Sequence, residues 1–242
     1  MAWFFLNDSR ITEQVTLAGT DARHISRSLR MKTGEHLTLC TPDGRRHSCT
    51  IVAFSPDTVT VHVDASTVCE QEPTVKVSLY VALLKGDKLD DVVQKAVELG
   101  AYGITPFFSA RCISRPDEKA LLKKVERWQK IAASAASQSR RGIIPTVHPC
   151  ISFDELCGRI SRFDRAAVFY ECGGEPIGDI LCHKDRTLAL ITGSEGGFEE
   201  SEIRMLRDAG ARVATLGKRI LRAQTAPIAA LSAAMVLTGN FG

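Results

Sequence analysis

Two short stretches hold the residue types that could do chemistry. "TGSEGGF" (Thr192 to Phe198) sets three glycines and a carboxylate in one turn, and "LGKRILR" (Leu216 to Arg222) places Lys218, Arg219 and Arg222 between a glycine and an alanine-rich apolar run. Gly193, Gly196 and Gly197 permit left-handed backbone and let a ligand approach bare main chain. Two nucleotide fingerprints fail here: nothing supplies the Lys-Ser/Thr pair of the phosphate loop, and the spacing is G-x-x-G-G rather than G-x-G-x-x-G. Glu195 would repel a phosphate and suits a ligand with cationic or N–H donor groups. The nucleoside and amino-acid parts of S-adenosylmethionine meet that description. Glycines alone would equally serve a tight turn without a ligand, and the three cations alone a solvated face.

Both stretches follow segments that read as buried strands, "LALIT" and "ARVATL", and both run into helices, "EESEIRMLRDAG" and Thr225 to Leu237. Ligands in open α/β sheets bind beyond the carboxyl ends of strands, so two such ends can share one crevice. Upstream, "VKVSLYVALL", "GITPFF", "PTVH" and "AAVFYE" read as further strands. "DKLDDVVQKAVELG" puts Leu89, Val92, Val93, Ala96 and Val97 on one helical face, and "DEKALLKKVERWQKIAASAASQSRR" and "FDELCGRI" read as helices. This alternation predicts a mainly parallel sheet covered on both faces. The last helix is apolar on nearly every side, which predicts burial in the core or beneath a second copy of the chain.

The amino-terminal part reads differently. Residues 21 to 31 suggest a short helix with Asp21 as N-cap, and "EHLTLC", "HSCTIVAF" and "VTVHVDA" three closely spaced strands, hence a small barrel or meander. "CEQEP" (Cys69 to Pro73) marks a boundary, giving domains 1–72 and 73–242. A chain of 242 residues with 44% hydrophobic and 24% charged residues has ample core for either arrangement. The first residues hold an apolar patch without a basic leader, and no apolar run is long enough to span a bilayer, which predicts a cytoplasmic protein without membrane association. The eight cysteines include no C-x-x-C pair and the histidines no H-x-x-x-H spacing, which predicts buried free thiols, no metal and no disulfide.

With these residues in view, the chain resembles the bacterial RsmE family, ribosomal RNA small-subunit methyltransferases of the SPOUT superfamily. The resemblance runs nearly end to end through "HISRSLRMKTGEHLTLC", "KGDKLDDVVQKAVELG", "RWQKIAASAASQSRR", "GSEGGF" and "LGKRILRAQTA". It implies an α/β fold: a PUA-like β-barrel that binds RNA, followed by a SPOUT-type parallel sheet with a C-terminal trefoil knot that binds S-adenosylmethionine. It also implies a homodimer that methylates N3 of a uridine in 16S rRNA of the small ribosomal subunit. On that pattern Thr192, Gly193, Glu195, Gly196, Gly197, Leu216, Gly217, Ile220, Leu221 and Arg222 line the methyl-donor site, with Tyr170 and Glu171 as a third wall. Ser194 stands where the family has proline, which is expected to loosen the turn, and Gln224 where it has glutamate.

Uracil N3 is an imide nitrogen, so its methylation requires loss of a proton and stabilisation of charge on O2 or O4. Arg222, expected to be steadied by Ile220 and Leu221, is the candidate for that stabilisation, and Glu195 the candidate base. Arg23, Arg27, Arg30, Lys85, Arg111 and Arg140 are candidate RNA contacts, with a solvated surface charge the alternative at each. Gln224 motivates a second reading, a catalytically inactive, ribosome-associated RNA-binding module of the same fold.

Overall fold

Alternation of apolar and polar residues builds the first sheet. The computed structural model describes residues 2–241. Its strands β1 (Ala2–Phe5), β2 (Gln14–Ala18), β3 (His36–Cys40), β4 (Arg45–Phe54) and β5 (Thr58–Val68) pair in the order β1-β3-β4-β5-β2. β3, β4 and β5 form the expected antiparallel meander, while β1 joins β3 in parallel. Two register shifts in the β4–β5 ladder bend the sheet around Phe4, Leu17, Leu37, Leu39, Ile51, Val59 and Val61. β1 and β2 remain the unpaired edges, so this amino-terminal sheet is curled rather than closed as the expected fully hydrogen-bonded barrel.

The helix expected at residues 21 to 31 is a correction. Helix α1 (Gly19–Arg23) starts earlier, continues as a π-helical turn (His24–Ser28), and has Ala18 at the N-cap with no side-chain cap, so Asp21 lies inside it. It closes with Arg30 in left-handed backbone (φ 53°) while Met31 N–H reaches Ile25 O at 3.0 Å. That closing bond is the helix-stop geometry usually given to glycine.

The chain divides into Met1–Glu72 with Ala136–Ile144, and Pro73–Ala135 with Pro145–Gly242. A single division after residue 72 therefore misses residues 136–144. They pack with the first unit because Trp3 Nε1 donates to Arg141 O at 2.8 Å and Ser137 Oγ to Trp3 O at 2.7 Å. The buried Arg141 guanidinium also donates twice to Glu72, at 3.2 and 2.6 Å.

In the second unit seven strands run parallel: β6 (Lys76–Ala82), β7 (Gly103–Phe107), β8 (Thr146–Val147), β9 (Arg165–Phe169), β10 (Glu175–Pro176), β11 (Thr187–Thr192) and β12 (Arg212–Thr215), in the order β10-β12-β9-β11-β6-β7-β8. β7 is buried along its whole length and β11 at all but its first residue, the continuous apolar run that a sheet covered on both faces requires. Helices α2 (Lys88–Glu98), α3 (Glu118–Gln138), α4 (Phe153–Cys157), α5 (Ile177–Ile180), α6 (Glu200–Asp208) and α7 (Thr225–Leu237) alternate with the strands. The expected face of α2, Leu89, Val92, Val93, Ala96 and Val97, is buried. Trp128 of α3 is buried with its indole N–H satisfied by Asp90 at 2.8 Å, so the ring adds apolar contact without an orphaned donor.

α7 packs on α2, β11 and β6 through Ala230, Leu231, Ala234 and Met235. Its other side is not covered: Val236 is 60% exposed, and Ile228, Ala229 and Ala233 are half-buried. All eight cysteines are free, and burial pushes the Cys40, Cys49 and Cys150 thiols up to about 12, so they pack as protonated apolar groups. Among the described residues, no helix is long and apolar enough to cross a membrane and no group of His, Cys, Asp or Glu could hold a metal ion.

Candidate active site

The carboxyl ends of β9, β11 and β12 meet because these strands are neighbours in the sheet, and their following turns enclose a cavity of about 460 Å³. That volume suits a ligand of cofactor size. Each residue that the resemblance places in the methyl-donor site lines it, from Tyr170 and Glu171 through the glycine turn to Leu216–Arg222. The two stretches that opened the sequence analysis thus form opposite parts of one pocket wall.

Three features of the wall point to a bound group. Thr192 is buried and its Oγ1 has no hydrogen-bond partner, an orphaned polar atom that a ligand lining the cavity would satisfy. Gly217 has left-handed backbone (φ 97°) and open space where a side chain would start, so main chain alone faces that part of the cavity. Gly197 has left-handed backbone (φ 67°), which disfavours any side chain, and a Cβ there would displace the Glu171 carboxylate from its place in the wall. Tyr170, hydrogen-bonded to the Cys172 thiol and close to the Glu171 and Glu200 carboxylates, has its hydroxyl held above the usual tyrosine range.

Glu195 is committed within the wall. Its Oε1 accepts from Lys88 Nζ at 2.8 Å and from the Lys85 backbone N–H at 3.2 Å. Burial pushes the carboxyl up, and these bonds more than offset it, leaving Glu195 below the usual glutamate range. A carboxylate so stabilised is a weak base for an imide proton. Lys88 lines the cavity and went unnoticed in the sequence, although "KGDK" contains it; as the first residue of a helix it reads like any surface lysine.

Ser194 is buried, its hydroxyl donates to Arg111 O at 3.2 Å, and its carbonyl accepts from Gly197 N–H at 3.0 Å, so the turn is kept and carries one side-chain bond that proline cannot make. Arg111 in turn donates from Nη1 to Gly196 O at 3.1 Å. Gln224 sits at the N-cap of α7 without a capping bond and lines the cavity. Arg222 is exposed and so is Ile220, at 82%, so the apolar clasp expected to steady Arg222 is absent. Its backbone is held instead, the carbonyl accepting from Thr225 and Ala226 N–H at 2.8 and 3.0 Å. Lys218, Arg219 and Arg222 form no ion pair among the described residues, and each lines the cavity.

The remaining cations are placed as follows. Arg23, Arg27, Arg30 and Arg140 are exposed on the first unit, while Lys85 and Arg111 belong to the second.

Comparison with known proteins identifies the family. The family model described as RNA methyltransferase domain matches residues 70–235, and the RNA methyltransferase PUA domain model matches residues 17–64. The chain is 37% identical over 238 residues to a Bacillus subtilis protein named ribosomal RNA small subunit methyltransferase E, covering 94% of this chain and 93% of that one. A Mycobacterium tuberculosis protein of the same name is 32% identical over 229 residues, with 92% and 86% covered. The crystal structure of a ribosomal RNA small subunit methyltransferase E from Neisseria gonorrhoeae bound to S-adenosyl methionine matches with a TM-score of 0.91 and 31% identity over 100% of both chains.

Proposed function

Because the chain belongs to the ribosomal RNA small subunit methyltransferase E family of RNA methyltransferases, we propose that it transfers a methyl group from S-adenosylmethionine to N3 of a uridine in 16S rRNA. The reading includes action on the small ribosomal subunit in the cytoplasm, the C-terminal trefoil knot, and a homodimer that covers the exposed side of α7. It assigns the first unit, residues 1–72 with 136–144, to RNA binding and the second, residues 73–135 with 145–242, to donor binding and dimerisation. The observation that carries it is the cavity at three adjacent strand ends, with one orphaned hydroxyl at Thr192 and three cations without ion pairs among the described residues at its rim.

S-adenosylmethionine supplies a methyl already activated on a sulfonium, so the chain's own residues need only bind, orient and handle a proton. The glycine turn and Thr192 hold the donor, and Tyr170 and Glu171 close the side formed by β9. Arg222 stabilises the charge that develops on uracil O2 or O4, a contribution of about 3 to 4 kcal/mol for a well-aimed donor. Glu195 orders the wall through Lys88, and the imide proton leaves to solvent water at the open side of the cavity. Gln224 lines the same cavity, where its amide offers a neutral N–H donor beside Arg222. A catalytically inactive RNA-binding module is not favoured, since the departure at Gln224 leaves the cavity open and lined.

Incubation of both ribosomal subunits with labelled S-adenosylmethionine, followed by separation of their RNA, tests the reading. Label in the 16S fraction and none in the 23S fraction is expected. Tight donor binding without label in either would support the inactive module instead.

A further inference from the structure

Three glycines in five residues make an expensive wall, because a glycine-rich segment loses more backbone entropy on ordering than any other. The turn after β11 is nevertheless pinned from Ser194 to Phe198. Phe198, at its end, is buried and stacks on Phe107 with centroids 6.3 Å apart. Glu195 is held by Lys88 on the side of β6. On the side of β7, Arg111 makes three separate contacts with the turn. Its Nη1 donates to Gly196 O at 3.1 Å, and its own carbonyl accepts from Ser194 Oγ at 3.2 Å. Its Cβ also lies so close that a Cβ on Gly196 would approach it to 2.9 Å.

The base from which Arg111 reaches is itself rigid. Ser109 is buried and exchanges hydrogen bonds with Cys112, while Arg115 Nη2 donates to Ser109 O at 3.0 Å. Ala110 N–H donates to Glu202 Oε1 at 2.8 Å, and the other oxygen of Glu202 accepts from Glu199 N–H at the start of α6. The segment after β7 is therefore tied both to the turn and to the helix that follows it.

We infer that Arg111 is a positioning residue for the methyl-donor site: acting with Ser194, it fixes the peptide planes of Ser194–Gly197 in the shape that receives the donor. This role is distinct from the RNA contact that its charge suggested, since it uses one guanidinium donor on a carbonyl of the pocket wall. The inference rests on the donor reading of that pocket. It also gives a reason for serine at position 194: the hydroxyl ties the turn to Arg111 where the family's proline would stiffen it covalently.

The test uses the full chain with Arg111→Ala and, separately, Ser194→Ala, which removes one hydroxyl and keeps the inference falsifiable if the arginine variant folds poorly. Steady-state kinetics is followed with donor and RNA varied independently, and RNA affinity is measured against salt. Expected for Arg111→Ala is a donor KM raised fivefold or more with kcat within twofold, and for Ser194→Ala a smaller change in the same direction. RNA KM and the slope of log affinity against log salt should not move. Unchanged donor KM, with that slope shallower by about 0.7 to 0.9, marks a lost phosphate contact and overturns the inference. If the unsubstituted chain binds no donor, the donor reading falls and takes the inference with it. Donor binding that both variants match overturns the inference alone.

Discussion

Lys88 Nζ lies 2.8 Å from Glu195 Oε1, joining the first turn of α2 to the glycine turn after the neighbouring strand β11. The pair is partly exposed, so it contributes about 0.2 to 1 kcal/mol to stability. Its larger effect is on the cavity wall. Glu195→Gln should weaken donor affinity several-fold in titration calorimetry. The folded-state carboxyl is depressed below the value near 4.3 of an unfolded chain. Its stabilisation is therefore present above that value and lost as pH falls through the folded one. Urea unfolding should show the difference between the two proteins constant from pH 6 to 8 and vanishing in acid.

Thr192 offers the opposite signature. Valine matches its shape and removes a buried hydroxyl that has no protein partner. Thr192→Val should leave the ligand-free protein as stable as before or more stable, by up to about 1 kcal/mol. Donor affinity should drop about three- to tenfold. Thermal unfolding with and without donor separates the two effects.

Arg30 and Arg140 are the only described non-glycine residues with positive φ, at 53° and 59°. Left-handed backbone disfavours a side chain by about 1 kcal/mol, so Arg30→Gly and Arg140→Gly should each raise unfolding free energy by up to that amount. Loss of a cation at a helix end subtracts a few tenths. If these exposed guanidinium groups contact phosphate, RNA affinity should fall at the same time, with a shallower salt slope. Denaturant unfolding and filter binding at several salt concentrations read both effects.

α7 makes the homodimer testable. Ala233 is half-buried and Val236 60% exposed on the side away from the sheet. A carboxylate placed there in a closed dimer would be desolvated without a partner. Ala233→Glu and Val236→Glu should therefore halve the mass seen by light scattering, while the circular dichroism of the monomer stays native.

Much of this architecture was legible from local pattern. The apolar runs of β7 and β11, the buried face of α2 and the limits of α7 follow from periodicity and need no tertiary knowledge. β1 and β2 were not legible: Ala2–Phe5 is four residues long and its partner β3 lies some thirty residues downstream, so nothing local marks it as a strand. Two-residue β10 carries no pattern at all. At the site, glycine spacing and the resemblance named residues that line one cavity. The roles of Lys88, Ser194 and Arg111 depend on which strand ends become neighbours. β6 lies beside β11, and β7 one strand further along, only in the folded sheet, so no spacing in the chain signals that Arg111 would reach Gly196.

The central claim is tested most directly by transfer of labelled methyl from S-adenosylmethionine to small ribosomal subunits that lack this modification, followed by nucleoside analysis. Label recovered as 3-methyluridine is expected, with at least a hundredfold loss of rate in Arg222→Ala at unchanged donor affinity. Label in another nucleoside, or none while donor is bound, would contradict the account.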